Sequence, residues 1–244
     1  MRSALLTGLL FLAGTWLQPG FAMEREQLLE LTSYDLPKEL TREQLVRALR
    51  HKDWRGRHLA ALQVQRYPEG RKDVLPVIAE LLTDNKERVR ITAANAIFQV
   101  GPTEEIEEQL KQNLSNESEW VRITLAEACV KSGVAKKEAC AFLRDLMQNG
   151  SHCWSVRAAE VAAETIPEEA VSILLCELNP QKYHKGKGLI LGNPTWSVVA
   201  ALGRAGKHAK EAIPELERLE KMKRHEDIRP AVREALKKIK AALA

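Results

Sequence analysis

Residues 89–101 read VRITAANAIFQVG, and residues 121–133 read VRITLAEACVKSG. A chain that writes nearly the same thirteen letters twice, thirty-two positions apart, is built from a repeating structural unit. Arg90 serves as a register mark, followed by Ala93, Ala94, Ala96 and Ile97, with Gly101 closing the segment. The same offsets from Arg122 give Leu125, Ala126, Ala128, Cys129 and Gly133. From Arg57 they give Ala60, Ala61, Gln63, Val64 and Pro68, and Arg229 is followed by Val232, Ala235, Leu236 and Ile239. Arg157 matches less tidily, through Val161 and Ala163. Thr195 takes the Arg place ahead of Val198, Val199, Ala201, Leu202 and Gly206. The marks at 57, 90, 122, 157, 195 and 229 are spaced by 33, 32, 35, 38 and 34 residues.

A second apolar stretch precedes most marks: DVLPVIAELL (73–82), IEEQLKQNL (106–114), ACAFLRDLM (139–147), AVSILLCEL (170–178) and AIPELERLEKM (212–222). Leu75, Ile78, Leu81 and Leu82 recur at the three- and four-residue steps of an amphipathic helix, as do Val89, Ala93, Ala96, Ile97 and Val100. Each unit therefore reads as a helical hairpin: helix A, a short polar turn such as TDNKER, then helix B. Gly101 and Gly133 end helix B, because glycine accepts the left-handed conformation there without steric cost. Small residues at Ala93, Ala94 and Ala96 let helices approach closely. One hairpin cannot cover its own apolar face, so neighbours must, and the sequence repeats for that reason.

Composition agrees. Ala, Leu, Glu, Lys and Arg abound, aromatics make up only 5%, and 45% of residues are apolar.

The first 22 residues, MRSALLTGLLFLAGTWLQPGFA, stand apart. A cation at Arg2, an apolar run from Ala4 to Leu17 and the small residue Ala22 form a secretory signal pattern, with cleavage expected after Ala22. The run is shorter than the roughly 20 residues a membrane helix needs, so no stable span is expected after cleavage. Localisation is expected to be periplasmic or secreted, in a bacterium. Removing Arg2 leaves 36 basic against 33 acidic residues; that near balance, together with export, argues against nucleic acid as the partner.

Residues 23–40 are expected to form an N-terminal capping helix. Thr41 and Gln44 then have the spacing of a capping box. The repeat occupies 41–244.

The unit resembles HEAT-like repeats, especially the short bacterial form, of bilin-lyase type, with a turn acid, then V-R-x-x-A-A-x-A-L and Gly. Asp53, Asp84, Glu117 and Asp227 stand in the acid region, and Pro76 and Pro214 occupy the helix A place where such repeats often carry a kinking Pro. The likeness covers about residues 42–244. It implies an all-α fold: a right-handed α-solenoid of about six HEAT-like hairpins. RHKDWRGRHLAAL, DNKERVRITAANAI and GKHAKEAIPEL are also similar to the helical repeats that follow the catalytic domain of some exported bacterial sulfatases. No C-x-P-x-R or S-x-P-x-R nucleophile motif is present, so that kinship would concern the appendage alone.

Chemistry-bearing residues are sparse. The recurring Arg57, Arg90, Arg122, Arg157 and Arg229 read most simply as a ladder that bonds turn acids and carbonyls of the adjoining unit. Trp54, Trp120, Trp154 and Trp196 all fall at the start of helix B, where stacking would align them along one edge. Such a row is either a binding edge or a set of half-buried packing residues. The longest interruption, NPQKYHKGKGLILGNP (179–194), gathers Lys182, Tyr183, His184, Lys185 and Lys187 among glycines; it is either a binding loop or a solvated one.

No Walker spacing accompanies that loop. His225-Glu226 is a single pair, whereas HEAT-like iron hydroxylases need several, so no metal or other cofactor is expected. Cys129, Cys140, Cys153 and Cys176 lack zinc spacing. Cys129 and Cys176 sit at apolar helical positions and are expected buried, and a disulfide among the four remains open. No acid, base and nucleophile set converges, so a noncatalytic scaffold that binds a protein is the leading expectation. A glycan-binding accessory module is the alternative, and an enzyme of the bilin-lyase kind ranks third.

Overall fold

A computed structural model describes residues 40–179, 195–222 and 226–244. Among these residues the protein is all-helical. The expected signal, residues 1–22, and nearly all of the expected capping helix lie outside them, as do Lys182, Tyr183, His184, Lys185, Lys187 and His225. The chain falls into two compact units, Met1–Ala96 and Ile97–Ala244.

In the first unit, α1 (Arg42–Leu49) starts at the expected capping box. Thr41 Oγ1 accepts from the Gln44 amide at 3.3 Å, and Gln44 Oε1 accepts from the Thr41 amide at 2.9 Å. Two of the amides that a helix start leaves unpaired are satisfied reciprocally. α2 (Trp54–Arg66) is capped by Asp53, whose carboxylate accepts from the Arg55 amide at 2.9 Å. Leu59, Ala60 and Val64 form its buried stripe.

The next apolar stretch departs from expectation. Instead of one helix over 73–82, a 3-10 turn (Lys72–Val74) leads into α3 (Leu75–Glu80), and a second 3-10 turn (Leu81–Thr83) follows. Pro76 explains the entry: it lies in the first turn of α3, where its missing N–H costs nothing and its fixed φ suits a helix. The proline begins the α-helix rather than kinking it. α1 packs against both α2 and α3. α4 (Glu87–Val100) begins in this unit and runs across the division. Gly101 after it has φ +82°, the left-handed value expected.

The second unit opens with a 3-10 turn (Glu104–Ile106) and α5 (Glu107–Asn113), then α6 (Glu119–Ser132), closed by left-handed Gly133. α7 (Lys136–Asn149), α8 (His152–Ala162), α9 (Pro167–Leu178) and α10 (Trp196–Ala205) follow. A 3-10 segment (Gly206–Ala212) precedes α11 (Ile213–Lys221), with Pro214 again in the first α turn. α12 (Arg229–Leu243) ends the chain.

Each A–B pair packs as a hairpin: α5 with α6, α7 with α8, α9 with α10 and α11 with α12. The B helices also meet in sequence, α6 with α8, α8 with α10 and α10 with α12, while α7 meets α9. Their apolar stripes are buried as the periodicity required, for example Ala139, Leu143, Leu146 and Met147 on α7, or Val232, Ala235, Leu236 and Ile239 on α12. Burying one such Leu is worth about 1.5–3 kcal/mol. Small residues do permit close approach: a Cβ added at Gly203 on α10 would lie 3.0 Å from Ala235 Cα on α12.

Candidate functional site: the helix-start edge

Three of the four tryptophans named from sequence lie in the second unit, each in the first turn of a B helix. Trp120 on α6 is 49% exposed and Trp196 on α10 is 62% exposed, whereas Trp154 on α8 is half-buried. The Trp120 and Trp154 rings meet edge to face, with centroids 6.3 Å apart and planes 68° apart. Such a contact adds about 0.5–1.5 kcal/mol beyond its buried area and fixes both rings. A face of Trp120 is left to solvent.

The helices that carry these rings are tied together by a carboxylate that the sequence did not single out. Glu160 on α8 is buried and accepts from Ser197 Oγ of α10 at 2.6 Å and from Arg157 Nη1 at 3.2 Å. Arg157 reaches on to Glu127 of α6, Nη2 to Oε2 at 2.7 Å. Arg204 of α10 donates to the Glu160 carbonyl at 2.6 Å. Thr195 caps α10 by accepting from the Val198 amide at 3.3 Å, which places Trp196 at the helix start. A buried carboxylate needs such partners, because an uncompensated charge would cost several kcal/mol. The arrangement fastens α6, α8 and α10, and with them Trp120, Trp154 and Trp196.

Trp54 belongs to the first unit. It is half-buried at the start of α2, with its ring 6.5 Å from that of His58 and the Arg55 guanidinium 5.5 Å from its centroid. Beside it lies an open cleft of ≈ 540 Å³ lined by Lys52, Asp53, Trp54, Arg55, Arg57, Asn85 and Lys86. Sequence reasoning named Asp53, Trp54 and Arg57 from this group, and only Trp54 as a binding candidate. The signal for the rest was the cationic clustering of KDWRGR with NK in the facing turn.

The expected arginine ladder is observed at Arg57. Arg57 grips Asp84 of the next turn through Nε at 2.5 Å and Nη2 at 3.0 Å, and its Nη1 donates to the carbonyls of His51 and Lys52. Asp84 also accepts from the Lys86 amide at 2.9 Å, while Arg90 donates to the Asp84 carbonyl at 2.7 Å. Burial alone pushes the Asp84 carboxyl up, but the Arg57 hydrogen bonds, the Lys86 amide and the charges of Arg57 and Arg90 together hold it below its usual value. Nearby, His58 shares a 2.9 Å hydrogen bond with Thr92 of α4. Burial, and then the charge of Arg88, lower its pKa.

All four cysteines are free thiols. Cys129 is buried as expected, and burial, then the charges of Glu138 and Glu107, push its thiol up to about 12, where it is unreactive. Cys176 corrects the sequence reading: it is half-buried rather than buried. The core stripe of α9 runs through Val171, Leu174, Leu175 and Leu178, and residue 176 lies about 100° past that stripe. Among the described residues no group of His, Cys, Asp and Glu is placed to hold a metal ion, and no helix is long and apolar enough to cross a membrane.

Compared with known proteins, the chain matches no family model, and no curated protein is close enough to it to count as a relative.

Proposed function

We propose that this chain is a noncatalytic exported scaffold of HEAT-like hairpins, stacked as a right-handed α-solenoid, that docks a protein partner along its helix-start edge. The carrying observation is that Trp120, Trp154 and Trp196 each open a B helix, two of them well exposed and two in contact, on helices tied together through Glu160 and Arg157. Packing of α6 on α8, α8 on α10 and α10 on α12 supports the solenoid. Exposed Trp on a rigid support is the residue type that dominates binding energy at protein interfaces, since little side-chain entropy is lost on docking.

The test is affinity capture of the tagged mature protein, with mild cross-linking, from the envelope of cells that carry it. The wild type retains a stoichiometric protein, and the Trp120→Ala/Trp196→Ala variant loses it while its circular dichroism is unchanged. Retention of the partner by that variant contradicts the edge. Selective binding of a glycan array by the wild type, with no protein retained, favours the accessory-module alternative instead.

A further inference from the structure

The first-unit cleft beside Trp54 carries an inference of its own, which rests on the reading that the chain docks a protein. Its floor is the Arg57–Asp84 pair, already satisfied by carbonyls on one side and by the Lys86 amide on the other. Above that floor the cations Lys52, Arg55 and Lys86 are all exposed. Arg55 faces Asp53 at 3.9 Å and lies over Trp54, whereas among the described residues neither the Lys52 nor the Lys86 ammonium has a partner. Asp53 is engaged in capping the Arg55 amide. Four cations against two carboxylates, Asp53 and Asp84, leave the cleft positive.

One wall is apolar, the half-buried Trp54 indole held between His58 and Arg55. The cleft is open rather than enclosed, which suits an extended segment of a larger molecule better than a small ligand. We infer that this cleft takes an acidic segment of the protein partner, with a carboxylate between Lys52 and Lys86 and a neighbouring apolar side chain against Trp54. Charge complementarity of this kind fixes register and accelerates encounter more than it adds affinity, so the interaction must weaken as salt rises.

The test uses the mature protein and a fluorescein-labelled peptide of four Glu-Glu-Leu triplets, followed by fluorescence anisotropy. The peptide binds the wild type, and the Lys52→Glu/Lys86→Glu variant weakens it by about tenfold or more. Exposed Lys136 on α7 supplies the control: Lys136→Glu, which changes the net charge without altering the lining of the cleft, leaves binding within about twofold. A matched Gln-Gln-Leu peptide does not bind. Equal binding by the wild type and the Lys52→Glu/Lys86→Glu variant, or no binding to either, overturns the proposal. Heparin displacing the peptide with more than about tenfold higher affinity and the same lysine dependence overturns it too, in favour of an anionic polysaccharide. The outcome is separable from that of the edge: a captured partner with no peptide binding removes only the cleft, and peptide binding with no captured partner removes only the partner docking.

Discussion

The same register position does different work in the two units. In the first, Arg57 meets an acid in the facing turn and is clamped by Asp84, with side chains only 16% and 4% exposed. In the second, the facing turn NGSH (149–152) offers Arg122 no acid. Arg122 falls back on Glu119 of its own helix at a loose 3.7 Å and lies over the Phe142 ring at 5.5 Å. Arg157 also turns inward, to Glu127 and Glu160. The repeat therefore supplies a cation at a fixed place, and the turn opposite decides whether it becomes a buried lock or a surface contact. In the second unit the locking passes instead to the Glu160 cluster beneath the tryptophans.

The largest effect expected concerns what the repeat has in common. Ile97 on α4 is fully buried, so Ile97→Asp introduces a charge with no partner and costs several kcal/mol, about 4 or more. Urea unfolding that leaves the midpoint in place would show that the register is misread.

Next comes the difference between the two arginines. Asp84→Asn removes the buried partner of Arg57 and is expected to cost about 3 kcal/mol. Glu119→Gln removes an exposed, loosely placed partner of Arg122 and costs under about 0.5 kcal/mol. Similar values for the two substitutions in parallel denaturation curves would erase the distinction drawn above.

The pH dependence sharpens it further. His58 has a lowered folded pKa, so its contribution is complete above its unfolded value, about 6.5, and declines as pH falls from there toward the folded value. Asp84 likewise has a lowered folded pKa; its contribution is present above about 3.9 and is lost as pH falls through the folded value. Both groups lie in the first unit. Hydrogen exchange between pH 7 and pH 5 is expected to show protection falling first around α2 and the start of α4. Earlier loss in α8–α12 would contradict this.

Much of the fold was legible because hairpins are local. Periodicity gave every B helix, Thr41 and Gln44 gave the first cap, and Gly101 and Gly133 gave the left-handed ends. The broken A stretch at 72–83 was not legible, because an apolar pattern does not distinguish 3-10 from α pitch over so few residues, and Pro76 reads equally as a kink or as a start. The tryptophans could be named from their offsets, but the contact of Trp120 with Trp154 depends on how α6 and α8 pack. Glu160 escaped notice because a lone Glu in a helix looks solvated. Its burial follows from partners on α8 itself and on α10, through Arg157, Ser197 and Arg204, that share no sequence pattern with it.

The substitution that matters most for function has only a modest structural effect. Trp120→Ala removes a half-exposed ring that packs edge to face on Trp154, so it costs about 1–2 kcal/mol of stability. At a binding edge the same change costs about 2 kcal/mol or more of affinity.

Photo-cross-linking reaches the central claim directly. A photoreactive phenylalanine at position 120, compared with the same group at exposed position 136 on α7, reads which surface meets a partner in intact cells. A discrete protein adduct at 120, weakened by Trp196→Ala and absent at 136, is the result expected. Adducts of equal yield at both positions, or none at 120 in a protein that melts like the wild type, would mean that the tryptophans only pack.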